Sequence, residues 1–262
     1  MAYLALVRAG FRRWSSYRAA TVAGVLTNTT FGFIRLAVLF AALAAGGPIA
    51  GYSRADAATY TWLTQALIMT IAMWNWIDLA TRIQTGDVVT DLQRPIDLQS
   101  AYLAEDYGRA TYQILARGLP PFIVGAIFYT LVLPTSAGQW FAFAISLVLA
   151  VIVSFGMRFI VNVFAFWVLD FRGLLTLSSA FTTVASGFVI PLAFFPTWLA
   201  HLFAVLPWAA MVQTPIDIFI GRRSGASLAS GLALQIGWAI ALLAIGRVLL
   251  ANAARRVVVQ GG

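Results

Sequence analysis

The chain contains no cysteine and no lysine, and it has a single histidine, His201, and a single glutamate, Glu105. All 17 basic residues are arginine. Each absence removes a class of chemistry. A P-loop needs a lysine to reach the nucleotide phosphates, so the chain holds no Walker-type ATPase site. Schiff-base catalysis is excluded for the same reason, and thiol nucleophiles and disulfides go with the missing cysteine. One histidine and a few scattered aspartates make a poor ligand set for zinc. The expectation is no catalytic residue, no metal and no cofactor bound by the chain itself.

Charge is scarce as well. Only 10% of the 262 residues are charged, 61% are hydrophobic, and the mean hydropathy is +0.87. Soluble domains carry roughly 25% charged residues. Lipid is the solvent that suits this composition, because there the exterior is apolar and the backbone must satisfy its own hydrogen bonds. The fold class expected is an all-α membrane protein. The net charge of +8 does not call for nucleic acid, since arginines at cytoplasmic helix ends are what membrane topology requires.

A span needs roughly 20 mainly apolar residues. Runs at about 21–45, 58–80, 112–133, 139–168, 174–194 and 228–250 predict six transmembrane helices within residues 21–250. The 139–168 run is longer than one crossing, which puts Arg158 near the cytoplasmic headgroups. Residues 1–20 place Tyr3, Leu4, Val7, Phe11 and Trp14 on one helical face, with Arg8, Arg12 and Arg13 beside it. That pattern predicts an amphipathic helix lying in the interface; a solvated basic leader that only sets orientation is the other reading. The long charged region and the spanning run behind it argue against a cleaved signal peptide.

Arginine bias puts the N-terminal segment, the 81–110 loop (Arg82, Arg94, Arg109) and the tail (Arg255, Arg256) on one side, the cytoplasmic one. Arg222 and Arg223 disagree, because six spans leave them outside. Residues 195–221 are apolar enough for a seventh span, but Pro196, Pro207 and Pro215 interrupt them. Such prolines favour short re-entrant or extracellular helices. No internal repeat or separate soluble domain stands out, so residues 1–262 read as one transmembrane domain.

The one sizeable polar stretch is 81–111. Together with Asp78 just before it, it holds six of the nine acidic residues. Gly86 can end one helix and Asp87 can cap a short new one. Pro95 disfavours helix at Arg94, and Asp97 can cap the helix that leads to the third span. A short helix held between two spans suits the docking of a soluble partner; a solvated turn without a partner fits the spacing equally well.

The run Gly86-Asp87-Val88-Val89-Thr90-Asp91-Leu92-Gln93-Arg94-Pro95 resembles the first cytoplasmic loop of ABC-2 type transporter permeases, which show a Gly-acidic…Leu…Arg-Pro pattern. Asn28-Thr29-Thr30-Phe31-Gly32, Phe166-Trp167-Val168-Leu169-Asp170, Ile190-Pro191 with Phe195-Pro196, Leu206-Pro207, Pro215-Ile216 and the ending from Arg247 to Gly261-Gly262 are similar in order and spacing. The resemblance implies the permease subunit of an ATP-driven exporter in a bacterial inner (cytoplasmic) membrane, with both termini cytoplasmic. It implies a homodimer or a pair with a sister permease, and two copies of an ABC ATPase subunit that bind the ATP and Mg. Carried over by position, Asp87, Asp91, Leu92, Arg94 and Pro95 would form the coupling element. Residues 195–221 would close the outer end of the path.

Arg35 stands about fourteen residues into the first span, where an arginine must pair, meet water or snorkel. Two readings are open: it faces the translocation path and meets a polar or anionic substrate, or it is structural. Asn28, seven residues earlier, shares its face and would line the same path. His201 reads as part of an interfacial segment, and Asp217 as the cap of a short helix. Trp62, Trp74, Trp76, Trp140, Trp167, Trp198 and Trp208 read as interface anchors, with an aromatic substrate cage as the alternative for one or two. A membrane enzyme would need acids or histidines gathered in a cavity, and an ion-coupled secondary transporter would need a mid-span acid. Neither pattern is present. A non-transporting scaffold is compatible with the sequence.

Overall fold

The computed structural model describes residues 1–46, 50–72, 77–168 and 171–255. Trp74, Trp76, Leu169, Asp170, Arg256 and Gly261-Gly262 lie outside the described residues. The described chain is all-helical, without strands. It opens with α1 (Ala2–Ser15) and α2 (Arg18–Gly46). α3 (Arg54–Leu67) follows, then α4 (Asp78–Thr85), α5 (Val88–Leu92) and α6 (Leu98–Gln113). A π-helical turn, Ile114–Gly118, carries α6 directly into α7 (Leu119–Phe128). α8 (Ala137–Val163) and α9 (Arg172–Ala185) come next. The short helices α10 (Thr197–Val205), α11 (Pro207–Met211) and α12 (Gln213–Phe219) precede the last helix, α13 (Gly225–Ala254).

Among the described residues, three helical segments are long and apolar enough to cross a bilayer: Arg18–Ala45, Ala137–Phe166 and Gly225–Ala254. They coincide with the first, fourth and sixth apolar runs. The second and fifth runs are not continuous helices. α3 stops at Leu67, and Ala72 turns into a left-handed conformation with φ 50°. α9 stops at Ala185, and Gly187 turns left-handed at φ 82°. Each run is apolar throughout, so hydropathy alone does not reveal where its backbone breaks. Residues 195–221 fold as short helices, two of which start next to Pro196 and at Pro207, because a proline is tolerated in the first turn and not further in.

α3 is the centre of the molecule. Every residue from Ala57 to Leu67 is buried, and a capping box at Ser53 and Asp56 fixes its start. Trp62 is fully buried against Leu36 and Ala58, with Phe33 packed edge-on at 5.1 Å. It is therefore a core residue and not an interface anchor. Gly32 and Gly125 make room for its ring, since a Cβ at either would overlap the indole. Trp140 and Trp198 are exposed, as anchors require, and Trp208 donates to Thr182 Oγ1 at 3.1 Å.

α8 sets the two ends of the bundle. At its start, Gln139 Nε2 donates to the carbonyls of Ile218 and Phe219 at 3.0 and 2.9 Å. Near its other end, Asn162 Oδ1 accepts the Ala80 amide at 3.0 Å. The 27 residues of α8 amount to about 40 Å. The loop before α3 and the loop after α12 share the first end, where Arg222 donates to the Ala50 carbonyl at 2.9 Å. α1, α4, α5 and the start of α6 share the second. Arg222 and Arg223, the two arginines that defy the charge bias, are structural: Arg222 lies over the Tyr52 ring at 4.1 Å, and Arg223 faces Asp217 at 3.9 Å.

Candidate functional site

α1 crosses α6 at a glycine pair. A Cβ on Gly10 would overlap the Glu105 carbonyl, and one on Gly108 would overlap the Val7 carbonyl. Phe11 then meets Tyr112 edge-on at 5.5 Å. The seam used is Val7, Gly10, Phe11 and Trp14, a spacing of three and four that puts all four on one face. Tyr3 and Leu4 stay exposed. Arg13, from the end of α1, pairs with Asp78 at the start of α4 at 2.7 Å.

Between α1, α4, α5 and α6 lies a cleft of 590 Å³. Asp78, Asp87, Asp91 and Glu105 line it together with Arg13, Arg82 and Arg94, and Asp78 and Asp91 are paired with these arginines. Burial pushes the Glu105 carboxyl up, against the opposing pull of Arg13. The Arg82 guanidinium is held above its ordinary value chiefly by its bond to Asp91.

The residues expected to form the coupling element have different roles in this cleft. Asp91 is buried, accepts from Arg82 Nε and lies 3.6 Å from Arg94. It locks α5 to α4. Asp87 immediately precedes α5 but does not cap it; its carboxylate accepts the Thr85 hydroxyl at 2.8 Å instead. The αR backbone of Asp87 explains this, because a capping residue needs an extended ψ to turn its side chain onto the helix. Leu92 turns inward onto the apolar cluster of Leu79, Val88, Phe159 and Leu250. Arg94 and Pro95 are exposed and form the free tip. Gly86, at φ 82°, ends α4, and Asp97 caps α6 through the Ser100 amide at 2.9 Å.

The cleft is braced from below. Arg247 of α13 pairs with Asp97 at 2.8 Å, and Gln99 donates to the Leu243 carbonyl at 3.0 Å. The start of α6 is thus tied to α13, while α4 is tied to α8 through the Ala80 amide and Asn162, and Val88 and Leu92 of α5 pack in the cluster that holds Phe159 and Leu250.

The two broken helices carry the remaining buried charge. At the first break, Arg109 donates to the carbonyls of Met69 and Thr70, the latter at 2.8 Å. Ser154 donates to the Ile71 carbonyl. Arg109 is held in turn by Asp106 at 2.7 Å, and Asp106 also receives Arg158 at 2.8 Å. Burial alone would raise the Asp106 carboxyl, but the two guanidiniums overcome it and hold it at about 2. The i,i+3 spacing of Asp106 and Arg109 was visible in the sequence. Arg158, fifty-two positions away, comes to the pair only through α8 packing.

At the second break, Arg35 donates to the carbonyls of Phe188 and Val189, the latter at 2.8 Å, and lies over the Phe188 ring at 4.4 Å. Tyr60 donates to the neighbouring Gly187 carbonyl at 2.6 Å. Asn28 is buried and donates to the Gln65 carbonyl at 3.3 Å. Asn28 and Arg35 thus share a face, and that face points into the protomer, at α3 and the 186–190 segment. From there Gln213 continues the polar chain: its Oε1 lies 2.6 Å from the Tyr60 hydroxyl and accepts the Leu192 amide at 3.0 Å, and its Nε2 reaches Asp217 at 2.8 Å. Asp217 sits inside α12 and caps nothing. Burial raises its carboxyl to about 6, while Arg223, Gln213 and Arg222 pull the other way. His201 is exposed on α10.

No group of three or more potential metal ligands occurs among the described residues. The arrangement offers charged binding groups and mechanical linkage between helices. The model of a family described as ABC-2 family transporter protein matches residues 26–261. No curated protein matches the sequence.

Proposed function

The chain belongs to the ABC-2 transporter family, and from that premise we propose that it is the permease subunit of an ATP-driven exporter. It binds no nucleotide; a separate ABC ATPase subunit, present in two copies, binds the ATP and Mg. Two permeases, identical or sister chains, enclose the path. The chain crosses a bacterial inner membrane six times, the second and fifth crossings being broken ones. Both termini and the α1–α6 cleft face the cytoplasm, and residues 195–221 lie outside.

The observation that carries this reading is the cleft between α1, α4, α5 and α6. It is lined by paired acids and arginines, it presents Arg94 and Pro95 at an exposed tip, and it packs on α8 and α13. A partner that pushes on this tip moves two long helices as one lever. Arg35 acts on the path from behind by fixing the unwound 186–190 segment, and Asn28 by tying α2 to α3. An ion-coupled secondary transporter or a non-transporting scaffold is the alternative, and no observation here favours either.

The test is copurification from the native host. The tagged, detergent-solubilised chain should bring down a P-loop ATPase, and Arg94→Glu should release it while leaving the permease folded. Absence of any ATPase under conditions that preserve membrane complexes would overturn the proposal.

A further inference from the structure

Four arginines lie inside the apolar runs. Arg35, Arg158 and Arg247 are bonded to protein groups. Arg117, in the third run, is not: among the described residues no carboxylate pairs with it, and its Nε is buried without an acceptor. Gln113, one turn earlier, offers at most a neutral amide oxygen. Such a charge in an apolar segment is a functional position by default, because it persists only where an anion or water meets it or where the side chain snorkels to the headgroups.

The local backbone delivers this side chain to one place. Arg117 sits in the π-helical turn Ile114–Gly118, a device that recurs at functional sites. Its guanidinium fills the notch left by Gly24 of α2, where any Cβ would overlap it. Gly24 lies six residues beyond Arg18, the start of α2, or about 9 Å along the helix. Arg117 itself is eight residues beyond Arg109, and helical side chains tilt back toward the helix N-terminus. That end carries α1, so the guanidinium reaches toward the nearer surface of the bundle. One turn closer to that surface, the hydroxyls of Thr21 and Tyr112 meet at 2.9 Å. Around and beyond the notch the surface is bare hydrocarbon: Val22, Leu26, Leu115 and Leu119 are all exposed.

A cation beneath an apolar surface, with hydroxyls on the headgroup side, matches a ligand with a negative head and two long tails. We propose that Arg117 and the Gly24 notch bind the phosphate of an anionic phospholipid from the leaflet on the α1 side, its acyl chains lying over Val22, Leu26, Leu115 and Leu119. The guanidinium supplies a planar fork matched to phosphate oxygens. The site is separate from the charged cleft and independent of which molecule the protein transports.

The full-length chain, reconstituted in nanodiscs and released for native mass spectrometry, tests this. Phosphatidylglycerol should be retained over phosphatidylcholine of the same chain length. Arg117→Gln should weaken that retention roughly tenfold or more, the loss expected for one charge-assisted contact. Arg12→Gln, on the exposed face of α1, should leave it unchanged. Inorganic phosphate should not compete; if it displaces the lipid fully, the site takes free phosphate and the lipid assignment falls. Equal retention of both lipids by the unaltered chain, or unchanged retention in Arg117→Gln, overturns the proposal. If Arg117→Gln loses only self-association, the anion comes from a second chain and the proposal also fails. Should that variant not fold, a photoactivatable phosphatidylglycerol decides on the unaltered chain: crosslinks must fall within 18–28 or 112–119, and crosslinks elsewhere only would refute the site.

Discussion

Arg109 donates to the Thr70 carbonyl at 2.8 Å while its Nε holds Asp106 at 2.7 Å. One guanidinium thus satisfies the backbone where α3 ends and is itself neutralised from its own helix. Non-helical backbone at membrane depth is tolerated only when protein groups satisfy it, and here a buried ion triad does so. Removing one partner of a buried pair leaves an unpaired charge and costs about 3–5 kcal/mol. Asp106→Ala should therefore lower the unfolding midpoint sharply, measured by tryptophan fluorescence or thermal aggregation in detergent. An unchanged midpoint would show that the triad is not holding the break.

Acid should have a related effect. The Asp106 carboxyl lies at about 2, below its ordinary 3.8, so the folded state binds fewer protons than the unfolded one between these values. Its stabilisation is complete above about pH 4 and is lost as the pH falls toward 2, an effect of roughly 2 kcal/mol. Asp106→Asn should flatten that part of the stability profile.

Asp217 should act in the opposite sense. Its carboxyl is raised to about 6, so the folded state binds more protons than the unfolded one between about pH 4 and 6. Stability from this group is present below pH 4 and lost as the pH rises through 6, by roughly 3 kcal/mol. Asp217→Asn should be at least as stable as the native chain at pH 7 and should show a shallower slope between pH 4 and 6. An unchanged slope in this variant would assign it to another group, such as Glu105, whose carboxyl is also raised.

Arg35→Leu would strip the Phe188 and Val189 carbonyls of their donor. A buried unsatisfied group costs about 1–3 kcal/mol, and of the two residues only Phe188 is buried, so a loss of about 1–3 kcal/mol is expected. Arg35→Lys should recover part of it. If Arg35 instead met substrate directly, Arg35→Leu would fold normally and change only transport, a result that stability and transport assays together would reveal.

Gly108→Val places side-chain atoms where the Val7 carbonyl lies. Overpacking of this kind costs about 1–3 kcal/mol, and the weakest element should give way, which is α1. Limited proteolysis should then cut within residues 1–20 in the variant and not in the native chain.

Much of the tip of the cleft was legible in the sequence. Gly86, Pro95 and Asp97 act through local backbone rules, and each rule operates within four residues. Asp91 was legible only as an acid. Whether it faced a partner or the core depended on Arg82 and on the packing of α5 over α4. The same limit hid the role of Trp62, whose position near a run boundary suggested an interface until Gly32 and Gly125 were seen to enclose its ring.

Composition by itself determined the solvent and the helical class, because those follow from which residues are present and from hydrophobic runs of spanning length. The tertiary structure decided where the second and fifth runs break, which arginines mend the breaks, and which one is left over. The reason is physical. A run of apolar residues reports that a segment can be buried, whereas a broken helix depends on donors that arrive from elsewhere in the chain: Arg35 for the Val189 carbonyl, Arg109 for that of Thr70. Those pairings span 154 and 39 positions, and no local pattern encodes them.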